Sequence, residues 1–138
     1  MDWTLEVVVV PVTDVDRAKA FYTEKLGFHC DADLVSGPTR VVQLTPPGSG
    51  CSITIGPVVV DEVPDAAARY QLVVNDIEAA RRDLISRGVD VGEVMKFGER
   101  GTEPGHGGNY NAFVFFADPD GNKWAVQEIT SRPFPGAA

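Results

Sequence analysis

The chain has 138 residues, 43% of them hydrophobic and 23% charged, which fits one soluble domain with a core of its own. Its net charge of −8 lacks the basic footprint that a nucleic-acid partner requires. No apolar run reaches the ~20 residues of a membrane span, and the start "MDWTLEVVVV" has no basic segment of a secretion signal. A cytoplasmic protein with neither a membrane nor a nucleic-acid partner is expected.

Residues 5–11 read as a strand, limited at its end by Pro11. Asp14 stands as the N-cap of a helix, and Asp16 adds negative charge to the first turn. Val15, Ala18, Phe21, Tyr22 and Leu26 recur at helical spacing, and Gly27 suits the left-handed residue past the helix end. Three short strands follow at 28–34, 40–44 and 51–55, divided by "SGPT" and "TPPGSG". Connections this short predict antiparallel neighbours. Residues 58–68, with Pro64 and several acids, read as a linker.

The second half begins with a strand at 70–74 and a helix capped by Asp76 that runs to about Arg87 and ends at Gly88. A strand at 89–95 precedes the polar, Gly-rich loop "FGERGTEPGHGGNY" at 97–110. Strands at 111–117 and 123–129 are joined by the turn "DPDGN". Residues 131–138 read as a frayed tail. Val12, Asp14, Val15, Asp16 and Ala18 match Val74, Asp76, Ile77, Glu78 and Ala80 at a constant offset of 62, and Gly27 matches Gly88 at 61. A duplicated βαβββ unit follows, with module 1 at about 1–57 and module 2 at about 69–130, in one domain spanning 1–138.

The segments "PVTDVDRAKAFYTEKLGF" at 11–28, "LVVNDIEAARRDLISRGV" at 72–89 and "FFADPDGNKWAVQE" at 115–128 carry a resemblance. Together they resemble the vicinal oxygen chelate superfamily of glyoxalases, bleomycin-resistance proteins and extradiol dioxygenases. The resemblance implies an α+β fold of two βαβββ modules, each a curved mixed sheet with its helix on the convex side. It implies a cleft closed by two modules, often across a homodimer. Metal-dependent members hold a divalent ion with His, Gln or Glu from three strands. Those positions fall here on Val7, Arg69 and Ala125. Val7 and Ala125 have no donor atom, and Arg69 is a permanent cation with no acceptor. Neither a metal site nor a cofactor is therefore expected.

Strand alternation sorts the remaining side chains. Val42, Leu44, Cys51, Ile53, Ile55, Tyr70, Leu72, Val74, Trp124 and Val126 form the core set. Gln43, Ser52, Thr54, Arg69, Gln71, Ala125 and Gln127 form the ligand-facing set, joined by Val7. Phe113 and Phe115 share one face of their strand, and Tyr110 borders the long loop. These residues hold no obvious nucleophile and no Ser–His–Asp or Cys–His grouping, so no catalytic residue is assigned. His29 follows the first helix, His106 in the Gly-rich loop reads as a lone, solvated histidine rather than a ligand, and Cys30 and Cys51 read as buried, reduced thiols. Asp118 and Asp120 belong to the turn. Glu6 and Glu128 alternate away from the ligand-facing set, toward solvent or strand-pair charges. The expected function is metal-independent binding of an antibiotic or other natural product, sequestered as bleomycin-resistance proteins sequester a drug. The alternative is a lyase, isomerase or dioxygenase-like enzyme of the same superfamily, with Arg69 as an electrostatic stabiliser. A third reading is a dimeric module acting through its interface alone.

Overall fold

The computed structural model describes residues 1–57 and 68–132. They divide into two compact units, 1–57 with 118–122, and 68–117 with 123–132. Residues 58–67 of the expected linker and 133–138 of the expected tail lie outside the described residues.

The first unit contains β1 (Val7–Val12), α1 (Val15–Ala20), β2 (His29–Ser36), β3 (Thr39–Thr45) and β4 (Ser52–Pro57). Its sheet has the order β1-β4-β3-β2, with β1 parallel to β4 and the other pairs antiparallel. Pro11 sits inside β1 rather than ending it. An edge strand tolerates this, and among the described residues β1 pairs with β4 on one side only. One face of the sheet is apolar because side chains alternate: Val10, Val42, Leu44 and Ile55 are fully buried. The same core takes in Ala18, Phe21 and Tyr22 from the helical segment. That segment starts where the Asp14 carboxylate accepts the Arg17 N–H at 3.0 Å, a cap of about 1 kcal/mol. Past Ala20 it widens into a π-helical turn, Phe21–Lys25, where Leu26 N–H reaches back to Phe21 O at 3.2 Å. The turn buries the Phe21 and Tyr22 rings edge to face, with centroids 5.2 Å apart. Gly27, at φ 74°, supplies the left-handed exit.

The second unit contains β5 (Tyr70–Val74), α2 (Ile77–Ser86), β6 (Met95–Gly98), β7 (Gly101–Pro104), β8 (Phe113–Ala117) and β9 (Lys123–Glu128). Its order is β5-β9-β8-β6-β7, with β5 parallel to β9. Without β7, this order repeats that of the first sheet strand for strand. The fold is therefore α+β, two mixed sheets of four and five strands, each accompanied by one helix. Asp76 caps α2 as Asp14 caps α1, accepting Ala79 N–H at 3.0 Å.

Two sequence expectations need correction. The strand expected at 89–95 begins only at Met95. Val89 and Val91 are buried, which gave the stretch its strand-like alternation, but residues 89–94 do not join the ladder. The loop expected at 97–110 contains most of a hairpin, in which Phe97 pairs with Thr102 and Gly98 with Gly101. Its exposed residues carry no apolar alternation, so the pattern that reveals a half-buried strand is missing. Among the described residues, no helix is long and apolar enough to cross a membrane.

Candidate ligand-binding site

The register of the second sheet decides which side chains meet. Phe113 lies opposite Gln127 and Phe115 opposite Ala125 across β8 and β9. Gln71 lies opposite Ala125 across β5 and β9. These five residues share one face and line a cavity of about 700 Å³, together with Ala68, Phe97, Phe116, Ala117, Lys123 and Trp124. That volume suits a drug-sized molecule.

The lining is aromatic with an amide rim. The Phe113 and Phe115 rings stack at 6.1 Å with 8° between their planes, and Phe97 meets Phe113 edge to face at 5.0 Å. Ala125, 4% exposed, gives the wall a flat patch where a larger side chain would fill space. Gln71 Nε2 donates to Gln127 Oε1 at 2.5 Å, and Gln127 Nε2 donates to the Tyr110 carbonyl at 2.8 Å. The Gln127 carboxamide is thus oriented from both ends. Gln71 stands exposed, and its carboxamide retains further donor and acceptor capacity.

The other expected site residues are not among those that line this cavity. Val7, Gln43, Ser52 and Thr54 share the face of the first sheet opposite its core, with Val7 beside Ser52 and Gln43 beside Thr54. Ser52 is buried and hydrogen-bonds the Thr45 hydroxyl at 2.6 Å. Arg69 is exposed, and its N–H donates to Lys123 O at 3.1 Å. Tyr110 borders the lining through the carbonyl that receives Gln127. Val7, Arg69 and Ala125, where the resemblance would place metal ligands, do not fit a divalent ion: an alkyl chain, a guanidinium and a methyl group offer it no lone pair. Among the described residues, no group of three or more His, Cys, Asp or Glu side chains could hold a metal ion.

Two further residues depart from expectation. Glu128 is 7% exposed, not solvent-facing. One carboxylate oxygen accepts Ile77 N–H at the start of α2 at 2.9 Å, and the other meets His106 Nε2 at 2.7 Å. His106 Nδ1 accepts Gly108 N–H at 3.0 Å, so Nε2 carries the proton shared with Glu128. His106 is therefore not isolated. Strand alternation assigns faces but does not tell which residue ends beside a helix N-terminus. The parallel register, Val74 opposite Glu128, puts Glu128 there. The sequence places Phe97 only in or beside the long loop, because a single aromatic in a polar stretch carries no periodicity that would assign it to the lining.

Two sheets of one repeated plan, the second bearing an aromatic and amide-lined cavity, define a duplicated βαβββ protein. The chain belongs to the Glyoxalase/Bleomycin resistance protein/Dioxygenase superfamily, whose family model matches residues 4–126. It is 25% identical over 122 residues to a glyoxylase-like domain-containing protein of Didymella fabae, covering 86% of this chain and 88% of that protein. Among solved structures it is similar to TnmS3, an antibiotic binding protein from Streptomyces sp. CB03234, at 27% identity and a TM-score of 0.66, covering 93% and 97% of the two chains. A glyoxalase/bleomycin resistance protein from Streptomyces sp. CB03234 is 27% identical, with a TM-score of 0.70 and coverage of 91% and 100%.

Proposed function

We propose that this protein binds an antibiotic or another natural product without a metal, and sequesters it in the cytoplasm as a homodimer. The observation that carries this reading is the cavity on the second sheet, where stacked phenylalanines lie beside two oriented carboxamides. Such a lining favours a flat, largely apolar ligand with a few polar atoms for Gln71 and Gln127. The likeness to an antibiotic binding protein supports the same ligand class. Sequestration without chemistry asks for tight binding, near ~1 nM. The homodimer is supported by exposed apolar side chains at the chain start and in edge strand β1, where Trp3, Leu5, Val7 and Val9 are 89%, 69%, 42% and 54% exposed.

The test is calorimetric titration with a panel of polycyclic aromatic natural products, before and after dialysis against a chelator. The expected result is one tight ligand class, bound equally well after dialysis and recovered unchanged in mass. A new product, or binding that disappears with the chelated ion, would overturn the reading.

A further inference from the structure

β6 meets β8 at a single register pair, Met95 with Phe113. Continued outward, that antiparallel register sets Phe97 opposite Asn111. The backbone at Asn111 is diverted from the ladder. Its N–H donates to Gly108 O at 2.9 Å, and its carbonyl accepts Gly107 N–H at 2.8 Å. Just before it, Tyr110 takes φ 67°, a left-handed value that bulky residues rarely adopt.

The Asn111 side chain supplies what the backbone there does not. Its Oδ1 accepts the Phe97 N–H at 2.8 Å, and its Nδ2 donates to the Phe97 carbonyl at 3.0 Å. A hydrogen-bonded antiparallel pair exchanges the same two bonds. Only a carboxamide carries both a donor and an acceptor in the geometry of a peptide group. Gly107 makes room for it: a Cβ there would stand 2.4 Å from Asn111 Nδ2 and 2.7 Å from Asn111 O. The group held this way is Phe97, 54% exposed, whereas Phe113 and Trp124 in the same lining are 8% and 2% exposed. Phe97 is thus the aromatic ring of the lining with the most surface to offer a ligand. In the first sheet, β2 pairs with β3 from His29 to Ser36, with a bulge between Cys30 and Ala32.

We propose that Phe97 is a specificity-determining wall of the cavity, and that Asn111 is a positioning residue that holds it by replacing a strand pair. This rests on reading the cavity as the ligand site.

The test is a double-mutant cycle on the full chain, with 1-anilinonaphthalene-8-sulfonate as the aromatic probe. Phe97→Ala should weaken probe binding about tenfold. Asn111→Ala should weaken it about fivefold alone, but less than about twofold when added to Phe97→Ala. Equal losses in both backgrounds would overturn the positioning role, and unchanged affinity in Phe97→Ala would overturn the wall. Hydrogen exchange gives a readout without ligand. The Phe97 amide should lose protection in Asn111→Ala while the Val114 amide keeps it, and retained protection at Phe97 would also overturn the positioning role. If Asn111→Ala does not fold, Asn111→Asp keeps the acceptor, loses the donor and carries the same cycle. Failure of the wild-type protein to bind the probe would sink the ligand-site reading and the wall with it, whereas losses that add independently sink only the role of Asn111.

Discussion

Asp118 is 5% exposed and spends its carboxylate on the groups around it. It accepts the Tyr22 hydroxyl at 2.7 Å, the Asp120 N–H at 3.0 Å, and both the backbone and side-chain N–H groups of Asn122 at 2.8 Å. Asp118→Ala leaves buried donors without an acceptor, so urea denaturation should show a loss of about 2–4 kcal/mol. Asp120 belongs to the same turn and serves Thr13 and Arg17, not the cavity. Ligand titration should therefore find Gln71→Leu and Phe113→Ala weaker by about tenfold or more, with Asp120→Ala close to wild type. Equal losses in all three would disprove the assignment of the cavity lining. In the first unit, Asp33 is held by two cations. Arg40 grips Asp33 with two bonds at 3.0 and 2.9 Å, and Lys19 adds a third at 2.9 Å. Arg40, and then Lys19, hold the Asp33 carboxyl well below the usual range. A carboxyl lowered in the folded state stabilises fully above the unfolded value of about 4 and loses that contribution as the pH falls further. Thermal melting should thus find Asp33→Asn less stable than wild type near neutral pH, with the gap narrowing from about pH 4 downward. A gap that stays constant into strong acid would contradict this account.

At the scale of elements, both helices obey the same local rules. Asp14 and Asp76 cap them, and Gly27 and Gly88 leave them at φ 74° and 81°. A Cβ at Gly88 meets no atom within 4 Å, so only the backbone conformation resists substitution. Gly88→Ala should cost about 1 kcal/mol by chemical denaturation, and a stabilised variant would refute the φ argument. Strands with a buried face were legible for the same local reason. Val42 and Leu44 in β3, like Trp124 and Val126 in β9, alternate with polar or small neighbours and are buried. β6 and β7 were not legible, because "FGERGTEP" has no buried face to impose a period of two. The 89–94 stretch erred in the other direction: burial of Val89 and Val91 produced the period without a ladder.

For the whole molecule, the exposed apolar residues Trp3, Leu5, Val7 and Val9 bear on assembly. Sedimentation velocity should find a dimer for the wild-type chain and a monomer for Trp3→Asp/Leu5→Asp. A monomeric wild type at micromolar concentration would remove the homodimer from the proposal. By itself, the sequence determined the duplication and the helix caps and exits. Each is a property of residue type at a known spacing, and no distant partner is needed to read it. Only the tertiary structure decided that Glu128 is buried against α2 and His106, that Phe97 joins the cavity wall, and that Asn111 stands in for a strand pair. These depend on which chain ends come to lie side by side, and register and parallel crossing set that in space without leaving a local period in the sequence.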